Sequence, residues 1–168
     1  MKNILSGRVW LLGDNIDTDI IIPTQFMTLP TIEAMSVHAF SPLRPELAGM
    51  MKPGDILVAG SNFGCGSSRE QAPEVIKALG VCTVIARSFA RIFFRNAINN
   101  GLPVIENSWI QEYLKEGHTI TIDTVSGEII LPDGTSVRFP PLPGMLIDMI
   151  DAGGLVPFYR KKNKGGVL

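Results

Sequence analysis

The stretch Gly60-Ser61-Asn62-Phe63-Gly64-Cys65-Gly66-Ser67-Ser68-Arg69-Glu70-Gln71 gathers hydroxyls, a thiol and a guanidinium among glycines. It follows an apolar run, Asp55 to Ala59, and opens a helical pattern. That places it at the carboxyl end of a strand, where α/β proteins bind ligands. Loop amides ahead of a helix favour an anion, and Arg69 adds a fork suited to a carboxylate or a phosphate. Two familiar anion motifs do not fit. Arg69 stands where a dinucleotide fingerprint needs its third glycine, and no Gly-Lys-Ser/Thr is present. Ser67 to Glu70 also has the spacing of a capping box. Pro73 weighs against that use, because a helix capped at Ser67 would carry it in the second turn, where proline costs about 3 kcal/mol. A helix that begins nearer Glu70 to Ala72 leaves Ser67, Ser68 and Arg69 uncommitted on its approach. Spacing alone leaves both uses open.

The surrounding pattern alternates strand and helix. Arg8 to Leu12 is a short apolar strand between Gly7 and Gly13, and Asp14 to Asp19 is a turn rich in Asx residues. Residues 24–53 carry Pro30, Pro42, Pro45 and Pro53 and little periodicity, with one short helix within Thr31 to Phe40. Long loops of this kind are more often functional than idle. Strands at 55–59, 81–86 and 102–105 alternate with helices at 69–79 and 89–100, which end at Gly80 and Gly101. A short helix over 108–115 is capped by Ser108. Residues 119–123, 128–131 and 136–139 read as hairpin strands around the Pro132-Asp133-Gly134 turn. A last helix over 143–152 stops at Gly153-Gly154, and residues 157–168 form a frayed basic tail. The fold class is α/β: a parallel β-α-β core with appended antiparallel strands. Its 168 residues suit a single domain.

Composition excludes several classes. Fifteen Lys and Arg balance sixteen Asp and Glu, so no field attracts nucleic acid or an anionic membrane. No apolar run approaches the roughly 20 residues of a membrane span. The N-terminus lacks the pattern of a signal or transit peptide, so the expected compartment is the cytoplasm. Cys65 and Cys82 are the two cysteines, too few for a zinc or iron–sulfur site in this chain alone. Hydrophobic residues make up 45%, an excess that suits buried subunit contacts.

Gly66-Ser67-Ser68-Arg69-Glu70, then Ala86-Arg87-Ser88-Phe89-Ala90-Arg91-Ile92-Phe93, resembles the aconitase superfamily. Asn15 to Asp19 and Asn96 to Pro103 match it as well. Length and motif order over residues 4–155 are similar to the stand-alone small subunits of the 3-isopropylmalate dehydratase family. The resemblance implies the swivelling β/β/α three-layer domain. It implies a large subunit that carries a [4Fe-4S] cluster, with no cofactor or metal on this chain. The implied substrate is a small dicarboxylic hydroxy acid, and the implied reaction interconverts 2- and 3-isopropylmalate in leucine biosynthesis. A related dehydratase acting on homoaconitate, dimethylmalate or citramalate is the alternative, and a non-catalytic anion-binding regulatory module is a remoter one. By resemblance Ser67 is the base. Gly66, Ser68, Arg69, Thr18 and Asp19 line the substrate cleft, with Asp19 orienting a charged neighbour. Gln71 stands where the family usually has His.

Specificity is expected in the loop after Pro23. Phe26, Met27, Thr28 and Leu29 match the family's arm-reading positions. Thr28 takes the place of an arginine that would suit a third carboxylate, so an uncharged arm is favoured. The same apolar residues also suit simple packing of the loop. The insertion Phe40 to Leu47 places Arg44 within reach of a carboxylate. Cys65 reads as a small filler beside the site and Cys82 as core. His38 and His118 share no ligand spacing. Arg87, Arg91 and Arg95 suit either a solvated face or a subunit interface.

Overall fold

A computed structural model describes residues 4–164. Seven strands form one sheet in the order β4-β3-β2-β1-β5-β6-β7. Strands β1 (Ile4–Leu11), β2 (Ile56–Ala59), β3 (Thr83–Ala86) and β4 (Val104–Glu106) are mutually parallel. Strands β5 (Thr119–Asp123), β6 (Glu128–Ile130) and β7 (Ser136–Arg138) continue antiparallel from β1. The helices are α1 (Thr18–Ile21), α2 (Ile32–Ser36), α3 (Leu47–Met50), α4 (Gln71–Ala78), α5 (Arg91–Asn99), α6 (Gly144–Asp151) and α7 (Leu155–Lys164).

Every residue of β2 and β3 is buried, because both sheet faces are covered. Alternate side chains enter different cores. Leu57, Ala59, Val84 and Ala86 join Val75, Ile76, Phe93 and Ala97 under the helices. Ile56, Val58 and Ile85 meet Ile110, Ile120, Ile122 and Ile129 on the opposite face. The antiparallel half therefore curls over the parallel half, and the layers are β/β/α as the resemblance implies. Strand β1 is where the halves join: Ile4 to Arg8 pair with β5, and Val9 to Leu11 pair with β2. Gly7 sits at this junction, where a Cβ would meet the Gly54 carbonyl oxygen.

Several elements differ from the sequence pattern. Strand β1 begins at Ile4, four residues before the apolar run, because β5 supplies its partners. Helix α5 begins at Arg91, not Phe89, because Ala90 donates its amide to Phe63 O at 2.9 Å. The helix expected over 108–115 is a 3-10 turn at Ile110–Tyr113 with Trp109, not Ser108, at its N-terminal boundary, and the side chain that accepts amides there is Asn107. Asn107 Oδ1 accepts the amides of Trp109 and Ile110 at 3.0 and 2.8 Å. Residues 24–53 contain a 3-10 turn at Thr24–Phe26 along with α2 and α3. The tail expected from residue 157 is helical through Lys164, with Leu155 and Phe158 packed on the core; residues 165–168 lie outside the described residues.

Candidate active site

Three loops leave the carboxyl ends of β1, β2 and β3 and lie side by side. The Asn15, Gly64 and Thr18 amides donate to Ser61 O, Ile16 O and Cys65 O at 2.8, 2.7 and 2.9 Å, so the first two loops pair almost as strands. The Phe63 amide donates to Ser88 O at 3.0 Å and brings in the third. Asn15 and Asn62 hold φ of +54° and +60°, a left-handed backbone that Asn tolerates better than most residues. Their side chains meet, Asn62 Nδ2 donating to Asn15 Oδ1 at 3.0 Å. Gly64 has φ +76°, and a Cβ there would run into the Phe93 ring. The floor of the site is thus fixed by backbone pairing and by residues able to adopt positive φ.

Ser67 and Ser68 stand exposed above this floor. Buried Thr18 holds Ser67 from below: its hydroxyl donates to Ser67 O at 3.1 Å and lies 3.2 Å from Ser67 Oγ. Helix α4 begins at Gln71, and no side chain caps it. Ser67 is therefore not a capping residue, in keeping with the Pro73 argument. Gln71 is the first helical residue and is half-buried.

Arg69 turns back toward the first loop. Its Nη1 donates to Ile22 O at 2.8 Å and its Nη2 to Thr24 Oγ1 at 2.9 Å. Nη2 also pairs with Asp19 Oδ1 at 2.6 Å. Thr24 Oγ1 donates its own hydrogen bond to Asp19 Oδ1 at 3.0 Å. The Thr24 hydroxyl first, and then Arg69, hold the Asp19 carboxyl below the usual aspartate range. Asp19 is thus an anion paired with Arg69. Nothing in the sequence singles out Thr24, which is 45 residues from Arg69.

The arm-reading residues are close by in the chain. Phe26, Met27 and Leu29 are half-buried against the helical core, and Thr28 is the exposed member of the four. The Phe26 ring stacks on His38 at 3.8 Å between centroids, so His38 supports this loop. Arg44 does meet a carboxylate, but one of this chain: Nη1 and Nη2 bind Glu116 at 2.6 and 3.0 Å. His118 Nδ1 accepts the Lys115 amide at 3.2 Å and closes the turn before β5. Arg87, Arg91 and Arg95 are all exposed.

Burial is the main cause that raises the Cys65 thiol above its ordinary range, and it pushes Cys82 up to about 11. Neither resembles an activated thiolate. Among the described residues no group of three His, Cys, Asp or Glu side chains converges to hold a metal ion. What residues 18–19 and 66–69 offer is an exposed serine hydroxyl beside a buried threonine hydroxyl, and a guanidinium whose fork suits a carboxylate.

Comparison with known proteins gives a consistent picture. The Aconitase C-terminal domain model matches residues 45–108. A 3-isopropylmalate dehydratase small subunit from Lachnospira eligens is 59% identical over 163 residues, covering 97% of this chain and 98% of that one. A methanogen homoaconitase small subunit from Methanothermobacter thermautotrophicus is 45% identical over 168 residues, covering 99% and 97%. The crystal structure of a 3-isopropylmalate dehydratase from Methanocaldococcus jannaschii is similar with a TM-score of 0.89 at 38% identity, covering 95% of each chain.

Proposed function

The chain belongs to the family of 3-isopropylmalate dehydratase small subunits, and we propose from that premise how its residues serve the interconversion of 2- and 3-isopropylmalate. The observation that carries the reading is that the Thr18–Ser67 contact and the Arg69–Asp19 pair both join the loops at the carboxyl ends of β1 and β2. Ser67 removes the proton from the carbon next to the hydroxyl-bearing carbon as hydroxide departs and the double bond forms; on rehydration hydroxide adds to the deprotonated carbon and Ser67 returns the proton to the carbon that had borne the hydroxyl. A serine alkoxide needs stabilisation. The Thr18 hydroxyl, 3.2 Å from Ser67 Oγ, supplies it by turning its proton from Ser67 O onto the alkoxide, and the Arg69 cation two residues on adds positive charge. Arg69 and Ser68 hold a substrate carboxylate against the loop, and Gly66 leaves the backbone open to the ligand.

The partner is a large subunit that carries the [4Fe-4S] cluster and covers the exposed serines. Two free thiols fit a reducing compartment, so we place the complex in the cytoplasm. Among the described residues no helix is long and apolar enough to cross a membrane. The whole chain acts as one swivelling domain, with residues 24–53 as its specificity segment. Thr28 is exposed and uncharged, which suits an alkyl arm over a third carboxylate. A citramalate or dimethylmalate specificity shares that feature, and relative turnover on a panel of 2-substituted malates separates them.

The test is turnover of 3-isopropylmalate by the chain reconstituted with its large subunit. Ser67→Ala should lower kcat by about a thousandfold, within the range for loss of a general base. Full turnover by that variant would remove Ser67 from the chemistry. Absence of turnover by the unaltered complex would remove the reaction itself.

A further inference from the structure

Among the described residues, the hydrogen bonds and ion pair of the Arg69 guanidinium fall on residues 19, 22 and 24, the segment that runs directly into Phe26 to Leu29. Thr24 opens the 3-10 turn of that loop. Its hydroxyl does two jobs at once: it accepts from Arg69 Nη2 at 2.9 Å and donates to Asp19 Oδ1 at 3.0 Å. Both bonds have a charged partner, the stronger kind. Thr24 itself is exposed, so core packing does not explain it. Two residues on, Phe26 is clamped by its stack on His38. The loop is therefore pinned to the guanidinium at one end and to α2's flank at the other.

We propose that Thr24 is a positioning and specificity residue: its hydroxyl registers the 24–29 loop on Arg69, so that the wall facing the substrate's variable arm and the clamp on its carboxylate keep a fixed separation. This rests on the isopropylmalate reading for the identity of the arm. Without the hydroxyl, Arg69 keeps Asp19 and Ile22 O but loses its tie to the loop. The site then discriminates poorly among acids that share the carboxylates and differ in the arm. Such a change acts on ground state and transition state alike, so it raises KM and spares kcat.

The test uses the complex with the large subunit and compares Thr24→Val, which keeps the shape, with Thr24→Ser, which keeps the hydroxyl. For Thr24→Val we expect KM for 3-isopropylmalate to rise about five- to tenfold with kcat within about twofold. The preference for 3-isopropylmalate over citramalate, as a ratio of kcat/KM, should fall about fivefold. Thr24→Ser should stay near the unaltered enzyme in all three. An unchanged KM, a Thr24→Ser that behaves like valine, or a collapse of kcat at constant KM overturns the proposal. A second measurement needs no turnover. In carbon NMR of the isolated chain, the Asp19 carboxyl midpoint should rise in Thr24→Val and hold in Thr24→Ser. A midpoint that stays put in both overturns the link whatever the substrate. Should the unaltered complex turn over neither acid, the substrate reading fails and the titration alone decides the registration.

Discussion

Arg69 and Arg44 both face carboxylates, one at the loop end of the parallel strands and one against the strand that joins the two halves. Their surroundings differ in charge count. Arg44 Nη1 and Nη2 bind Glu116, and its Nε binds Glu46 at 3.1 Å, so two anions meet one cation. Glu116 also accepts the Leu11 amide at 3.2 Å, which ties the insertion to β1. Just beneath, Arg8 lies 4.4 Å above the Trp10 ring and reaches buried Asp55, which Trp10 Nε1 also binds at 2.7 Å. This region is a partly solvated buttress whose excess of carboxylates would repel a further one. Arg69 meets one carboxylate, one hydroxyl and one carbonyl, and its chain neighbours Gly66, Ser67 and Ser68 are exposed. An arginine becomes a binding group when its local charge is not over-compensated and an open surface adjoins it.

The largest expected effect tests that contrast directly. Arg69→Ala in the reconstituted complex should lower kcat/KM by about a hundredfold or more, roughly 3 kcal/mol. Arg69→Lys should still lose about tenfold, because an ammonium lacks the fork. Unchanged kcat/KM in both would break the comparison. Next comes Gly64→Ala, which strains a positive φ and strikes the Phe93 ring. Its expected loss is about 2–3 kcal/mol of stability, seen as a Tm lower by roughly 5–10 °C. Arg44→Ala should cost about 1 kcal/mol, because the pair is partly solvated, and leave kcat/KM within about twofold. A kinetic defect there would make the buttress part of the site.

The smallest effect is a slope. Burial pushes the Asp55 carboxyl up, but Trp10 Nε1, the Lys52 amide and Arg8 together hold it below the usual aspartate range. Its folded value is thus lower than its unfolded value near 3.9. The stabilisation is fully present above that unfolded value and is lost as pH falls through the folded one. Chemical denaturation from pH 7 to pH 3 should show a steeper acid loss in the unaltered chain than in Asp55→Asn. Equal slopes would show that Asp55 is not held ionised.

Local signals made much of this molecule readable from its residues. Unbroken apolar runs marked β2, β3 and β4, because a strand covered on both faces needs no alternation. Pro73 placed the start of α4 at Glu70 to Ala72 and so separated Ser67 from capping. Ser67, Ser68 and Arg69 stand out because chemistry-bearing types cluster over a few residues, whereas Thr18 and Asp19 read as part of a polar turn and enter through the family resemblance alone. The first half of β1 was not readable, since Ile4 to Arg8 owe their strand to β5, over a hundred residues away in the chain. Nor was α7, whose Leu155 and Phe158 anchor a helix that otherwise reads as a basic tail.

The amino-acid sequence by itself determined the fold class, the start of α4 and the segment that carries the serines. These follow from periodicity, proline geometry and the backbone freedom of glycine and asparagine, all of which act over a few residues. Only the tertiary structure decided which cation meets which anion. Arg44 finds Glu116 across 72 positions, and Arg69 finds Thr24 across 45. Those meetings depend on the parallel pairing of β1 with β2 and the antiparallel pairing of β1 with β5, which lay distant loops side by side. A guanidinium has no preference along the chain; it binds whatever acceptor the sheet order brings within 3 Å or so.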